Sequence, residues 1–287
     1  FDSLKIKNMD DKVVVVKKIS GDLEPFSIQK LSRSLQNSGA TSQDIEKIVE
    51  AIQPELFDGI SSNLIYRKAY QLLKKCNRVS ASKYSLKRAI FELGPTGFPF
   101  ERLVSALLKQ KGYKTKIGQI LNGECITHEI DVLAEKDGNV YTVECKFHLD
   151  PKAVSNVRIP LYINSRFLDV QKVWNNSGNK THLKQGWLAT NTRFTKDAID
   201  YAKCVDLTLL SWDYPPNNGL KNNVDKYGLY PITTLTTLTK KEKTQLMEKD
   251  IILVKELSKN PDSLHQLGFS EKQKALVLAE VHKLCNY

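Results

Sequence analysis

The stretch that most limits what this chain can become runs from Glu129 to His148, EIDVLAEKDGNVYTVECKFH. It reads as two short strands, EIDVLAE and NVYTVECKF, joined by a Lys136-Asp137-Gly138-Asn139 turn, because Asp-Gly-Asn between alternating apolar residues is a hairpin signal. Alternation in the second strand places Val140, Thr142, Glu144 and Lys146 on one side and Tyr141, Val143 and Cys145 on the other. The first strand contributes Asp131, just before an apolar run, and a hairpin brings that acid close to Glu144. Two carboxylates and a lysine meeting at one point suit metal-assisted hydrolysis of a phosphodiester. The acids hold a hard divalent cation through oxygen, and the ammonium stabilises developing negative charge or positions the attacking water. The plainer alternative is a solvated strand face with a weak surface ion pair.

This segment resembles the PD-(D/E)xK nuclease superfamily in its Mrr-type restriction endonuclease branch, with Asp131 as the motif aspartate and Glu144-Cys145-Lys146 as the ExK triplet. Upstream, GFPFERLVSALLKQKGY (97–113) is similar to the leading helix of that branch, whose acidic residue, Glu101 in this chain, joins the metal site. Downstream, GWLATNTRFTKDAIDYAKCVDLTLLSW (186–212) resembles the strand-helix-strand that closes the same core. The resemblance implies an α/β restriction-endonuclease-like core with a mixed central sheet. It also implies catalytic Asp131, Glu144, Lys146 and Glu101, and a Mg²⁺ or Mn²⁺ ion held by Asp131, Glu144 and the backbone carbonyl of Cys145. Residue by residue, Glu101 precedes Val104 by three and Leu108 by seven, at the edge of an apolar helix face where an acid needs a partner. His128 falls on the opposite strand face from Asp131 by simple alternation, which favours a structural role over a catalytic one.

The totals are those of a soluble globular chain of two or three domains: 287 residues, 41% hydrophobic and 26% charged. A formal charge of +11 favours a polyanionic partner such as nucleic acid. The five cysteines form no C-x-x-C pair, so neither a zinc ribbon nor a disulfide framework is expected. No signal peptide and no apolar run near the roughly 18–20 residues needed to span a bilayer are evident, and a cytoplasmic protein without a membrane partner is expected. The opening at Phe1 rather than Met reads as a trimmed or partly ordered N-terminus.

Residues 1–12 lack pattern and read as a tail. VVVVKK (13–18), a Ser20-Gly21-Asp22 turn and Leu23-Glu24-Pro25-Phe26 predict a hairpin. Helices are expected after Ser27, after Thr41-Ser42 and after Ser61-Ser62, each a plausible N-cap ahead of apolar residues at helical spacing, with a fourth from about Val79 to Leu93. GDLEPFSIQK (21–30), SLQNSGA and KYSLKRAI (83–90) resemble the ATP-cone, a nucleotide-binding regulatory domain of α+β class, placed at 13–94. That resemblance implies Lys18 and Lys30 near a triphosphate, with Lys17 beside them, and ATP or dATP as ligand. Lys18-Ile19-Ser20-Gly21 departs from the family's Lys-Arg-Asp/Asn-Gly, so one basic phosphate contact is absent. The chain contains no G-x-x-x-x-G-K-[ST] loop.

Leu93-Gly94-Pro95-Thr96-Gly97 is the expected domain boundary, and the nuclease domain is placed at 95–213. A helix over 154–174 carries Arg158, Arg166 and Lys172 with Tyr162, Phe167 and Trp174 interleaved, a pattern suited either to DNA phosphates or to an aromatic core with a wet basic face. Residues 214–232, rich in Pro, Asn and Gly, read as a linker, and 233–287 as a small helical region. In it DSLHQLGFSEKQ suggests a helix-hairpin-helix element for DNA, or equally a packing module.

The expected protein is therefore a Mg²⁺-dependent, Mrr-type endodeoxyribonuclease acting on double-stranded DNA as a homo-oligomer, modulated by an adenine nucleotide. The rival is a nucleotide-responsive DNA-binding regulator whose nuclease fold no longer cuts.

Overall fold

The computed structural model describes residues 14–18 and 21–285, so the expected tail lies outside the described residues. The chain divides into two compact units, one ending at Tyr84 and the other spanning Ser85–Tyr287.

In the first unit β1 (Val15–Lys17) and β2 (Leu23–Pro25) pair antiparallel, followed by α1 (Ile28–Gln36) and α2 (Ser42–Ile52). Then come β3 (Ile60–Ser61), α3 (Ser62–Cys76) and α4 (Arg78–Tyr84). The three expected caps are present: Ser27, Thr41 and Ser61 each accept a hydrogen bond from the backbone N–H three residues on, supplying partners that a first helical turn otherwise lacks. Leu31, Leu35, Ile48, Ile52, Ile65, Ala69 and Leu73 close the core over Val16.

Two expectations fail in this unit. The hairpin is a three-stranded sheet in the order β2-β1-β3, with β3 parallel to β1; a two-residue strand whose partner lies over forty residues away carries no local signal. The expected helix over 79–93 is broken at Ser85 into α4 and α5 (Leu86–Phe91), and the two helices belong to different units. The boundary therefore precedes the Gly-Pro segment. Leu86, Ala89, Ile90 and Leu93 are buried, and Thr233 Oγ1 donates to Ala89 O at 2.6 Å, which fixes α5 within the second unit.

That unit continues with α6 (Phe98–Gln110), β4 (Lys114–Asn122), β5 (Thr127–Lys136), β6 (Asn139–Lys146), β7 (Val154–Ser155) and α7 (Arg158–Asn176). β8 (His182–Thr190), β9 (Arg193–Phe194), α8 (Lys196–Cys204) and β10 (Thr208–Leu210) complete the core. The mixed sheet runs β10-β8-β6-β5-β4: β4, β5 and β6 are antiparallel neighbours, while β6, β8 and β10 are parallel, joined through α7 and α8, since parallel neighbours need a crossover. Asp137 and Gly138 take φ of 51° and 74°, the left-handed pair of a two-residue hairpin turn. Phe100, Leu103, Val104, Leu107 and Leu108 are fully buried along α6, each contributing on the order of 1.5–3 kcal/mol. Ile163, Phe167 and Val170 of α7 pack with sheet residues including Val140, Leu183 and Leu188.

The segment expected to be a linker is built into the same unit. It contains α9 (Leu220–Tyr227), with Leu220 and Val224 buried, and Tyr230, which is 0% exposed and donates its hydroxyl to Asp225 Oδ1 at 2.9 Å. Pro, Asn and Gly in 213–219 hid the apolar residues that follow. The helical end holds α10 (Lys240–Glu248), α11 (Val254–Lys259) and α12 (Glu271–Cys285). Arg102 of α6 bridges to Asp250 and, at 3.2 Å, to Glu256, and the buried Glu280 accepts from the backbone N–H of Thr236 and Thr237. DSLHQL lies within a 3₁₀ turn, Pro261–Leu267, ending on Gly268 at φ 74°. Among the described residues no helix is long and apolar enough to cross a membrane.

Candidate active site

The site lies where β5 and β6 separate. Their ladder runs from Lys136↔Asn139 to Val132↔Val143; one rung further, Asp131 would face Glu144. Instead the Asp131 side chain takes over from the backbone, its Oδ2 accepting from Cys145 N at 2.6 Å. On the other side, the β4–β5 pairing passes from Ile117↔Val132 to Gln119↔Ile130, skipping Asp131. The acid therefore projects from a gap in the sheet.

Glu144 is 6% exposed. One of its oxygens, Oε2, accepts from Arg166 Nη1 at 3.1 Å, while Oε1 is buried with no hydrogen-bond partner. Burial and then the charge of Asp131 push its carboxyl up to about 8, against the pull of Arg166, with Glu101 and Glu129 adding to the rise. Burial, Asp131 and Glu129 likewise push Glu101, reaching in from α6, up to about 7. Asp131 is raised by burial, in opposition to the Cys145 N–H and Arg166. The Cys145 thiol is held well above its ordinary value by burial and by Asp131, Glu101 and Glu144, so it stays protonated. Four carboxylates thus crowd one end of β5 and β6, and the Arg166 guanidinium opposes two of them, Asp131 and Glu144.

The structure brings together Asp131, Glu144, Glu101 and Cys145. Lys146 leaves β6 two residues beyond Glu144, exposed to solvent, and its ammonium acts on His148, whose ring it helps burial to hold below its ordinary value. Among the described residues no three His, Cys, Asp or Glu side chains form a ready-made metal cage. The unpartnered Glu144 Oε1 and the raised acids nevertheless fit a divalent cation, which would supply the charge that these oxygens lack.

The basic residues expected on DNA divide. Arg166 turns into the acid cluster, where Nη1 meets Glu144, Nη2 donates to Glu129 O, and the guanidinium rests 5.5 Å from the Tyr162 ring centre. Lys172 pairs with Glu124 at 2.6 Å on the surface. Arg158 stands exposed at the start of α7. The signal for Arg166 was its helical position: three after buried Ile163 and four before buried Val170, it borders the apolar stripe, where a cation needs an acid partner. His128 is buried, its Nε2 2.7 Å from Asp169 Oδ2, in the structural role that alternation favoured.

In the first unit Lys18 and Lys30 line a cavity of about 260 Å³ with Phe26, Ser27, Tyr66 and Tyr84. The rings of Tyr66 and Tyr84 stack at 5.0 Å. Both lysines reach Glu24, at 3.1 and 3.5 Å. Lys17 is exposed and lies outside the lining of this cavity.

Residues 95–213, which hold the sheet and its acids, match the family model described as restriction endonuclease, and this defines the second unit as carrying a restriction-endonuclease-like domain. Residues 230–285 match the model "AF1548-like, C-terminal". The chain belongs to the AF1548-like family: it is 35% identical over 182 residues to an uncharacterized protein of Archaeoglobus fulgidus, covering 63% of this chain and 99% of that protein. The crystal structure of the protein of unknown function AF1548 is 34% identical, with a TM-score of 0.54 over 66% of this chain and 98% of that one. The MspJI restriction endonuclease in complex with a 27-mer oligonucleotide is 13% identical with a TM-score of 0.27, covering 60% of this chain and 36% of that one, a likeness too slight to carry an argument.

Proposed function

We propose that the second unit is a Mg²⁺- or Mn²⁺-dependent endonuclease that hydrolyses phosphodiester bonds of double-stranded DNA. The observation that carries this reading is the buried, unpartnered Glu144 Oε1 beside Asp131 and Glu101, in a domain matching the restriction endonuclease family. Asp131 and Glu144, with the Cys145 carbonyl, are the oxygens that would hold the cation. When bound, such an ion supplies Lewis-acid polarisation of the phosphate and activation of water.

The chain's own residues do the rest. Cys145 N–H fixes the Asp131 carboxylate by donating to its Oδ2. Glu101 adds a third acid whose raised affinity for protons suits it to accept one near neutral pH. Lys146, at the open end of β6, offers an ammonium to the negative charge that builds on the phosphate. Arg158 and Lys172 lie along α7, where a duplex backbone would meet a chain of formal charge +11. One site cuts one strand, so a homo-oligomer is the expected cutting form.

For the first unit we infer an adenine nucleotide, ATP or dATP, in the Lys18–Lys30 cavity, with its phosphates taking the place of Glu24 between the two ammonium groups. Such a ligand would modulate activity through different affinity for two states rather than through hydrolysis.

One observation favours the second reading, a DNA-binding regulator that does not cut: among the described residues Lys146 is exposed to solvent and forms no ion pair with the acids. Supercoiled plasmid incubated with Mg²⁺ or Mn²⁺, with and without ATP or dATP, separates the two. Cleavage by the wild type and its loss in Asp131→Ala and Lys146→Ala supports the nuclease. Cleavage by all three points to a contaminant, and none by the wild type supports the regulator.

A further inference from the structure

Among the described residues, one basic side chain, Arg166, is bonded into the acid cluster. Arg166 crosses from α7 to the separated ends of β5 and β6, donating from Nη1 to Glu144 Oε2 at 3.1 Å and from Nη2 to the Glu129 carbonyl. Its fit is incomplete, because Arg166 Nε and Glu144 Oε1 are both buried without a partner. A structural salt bridge between α7 and the sheet would satisfy these atoms, since an unmade hydrogen bond at a buried polar atom costs about 1–3 kcal/mol. A guanidinium that neutralises one oxygen and leaves the other open is instead a partial substitute for a more compact charge. The side chain also has somewhere to go: Tyr162, one turn earlier on α7 and 61% exposed, lies under the guanidinium.

We propose that Arg166 is a counter-ion that competes with a divalent cation for these acids, so that cation binding displaces it from Glu144. The proposal rests on the nuclease reading of the same acids. It makes Arg166 a competitor of the cation, whereas a salt bridge of purely structural purpose would either leave cation affinity unchanged or, by holding Glu144 in place, strengthen it.

The test is Mn²⁺ binding to the full chain, measured by electron paramagnetic resonance and calorimetry, for wild type, Arg166→Met and Glu144→Gln. Removing the competing charge is expected to tighten Mn²⁺ binding on the order of tenfold, while Glu144→Gln loses the site. A second measurement does not depend on the variant folding: in the wild type, the Arg166 Nε–H resonance is expected to shift as diamagnetic Mg²⁺ saturates the protein. Equal or weaker binding by a folded Arg166→Met, or an unmoved resonance at saturation, overturns the counter-ion role and leaves the cation site standing. Absence of Mn²⁺ binding in the wild type, or its persistence in Glu144→Gln, overturns both the counter-ion role and the nuclease reading.

Discussion

Asp131 and Glu144 would share a rung if the β5–β6 ladder ran one residue further, and the pairing ends at Val132↔Val143 with Asp131 bonded to Cys145 N instead. A side chain has replaced the carbonyl partner, which frees the strand ends to diverge around two acids. The approach of Asp131 to Glu144 was legible in the sequence, because Asp-Gly between alternating residues sets both the turn and the register; the bond from Cys145 N to the Asp131 carboxylate was not. Arg166 was legible as a basic residue but not as a member of the cluster, since it lies 22 residues from Glu144 on a separate helix. Lys146 follows Glu144 by two at the end of β6, and the strand end leaves its long side chain to solvent. Its expected role is charge stabilisation outside the cation's own oxygens. Lys146→Ala should therefore lower the rate of cleavage by about 10²–10³-fold with Mn²⁺ affinity unchanged; parallel loss of affinity would place the ammonium's effect on the acids themselves.

Among the elements, α7 is held to the sheet by more than its apolar face. Asp169 accepts from Cys125 N and Ile126 N and pairs with buried His128, and a Cβ at position 123 would lie 2.0 Å from Asp169 Oδ2, so only glycine fits that corner. His128 first, and then the Cys125 N–H, hold the Asp169 carboxyl down at about 2 against an ordinary 3.8. An acid depressed by folding stabilises the fold above its unfolded value, and that contribution is lost as pH falls through the folded one. Thermal unfolding of the wild type should thus weaken between pH 4 and pH 2 more steeply than that of Asp169→Asn, and the variant should exchange its Cys125 and Ile126 amides faster at neutral pH. Coincident curves and exchange rates would remove Asp169 as the latch. The helices with side-chain caps were legible for a local reason, as Thr41 at the start of α2 illustrates. α9 was not, because Tyr214-Pro215-Pro216-Asn217-Asn218-Gly219 announces a loop just before it. Tyr230→Ala, truncating a side chain with no exposed surface, should cost about 3–5 kcal/mol, read as a fall in the denaturation midpoint. A change within experimental error would restore the linker.

At the scale of the molecule, two compact units with separate cores predict two separable folding events. Fragments 1–84 and 85–287 should each unfold cooperatively, and the second should retain cleavage. The cavity between Lys18 and Lys30 should bind ATP or dATP in the first fragment alone, with Lys30→Glu weakening binding at least about tenfold through charge reversal; unchanged affinity would move the nucleotide elsewhere. Neither the 84/85 division nor the place of 214–232 was legible, because a helix broken at a serine and a buried stretch behind a proline-rich loop look locally like continuity and separation respectively. The central claim is that Asp131 and Glu144 make the second unit a metal-dependent nuclease. Its most direct test is single-turnover cleavage of a labelled duplex by the wild type and Glu144→Gln across a Mg²⁺ titration. The account predicts a wild-type rate that rises to saturation with Mg²⁺ and a folded variant slower by at least about 1,000-fold, whereas equal rates, or cleavage indifferent to Mg²⁺, would contradict it.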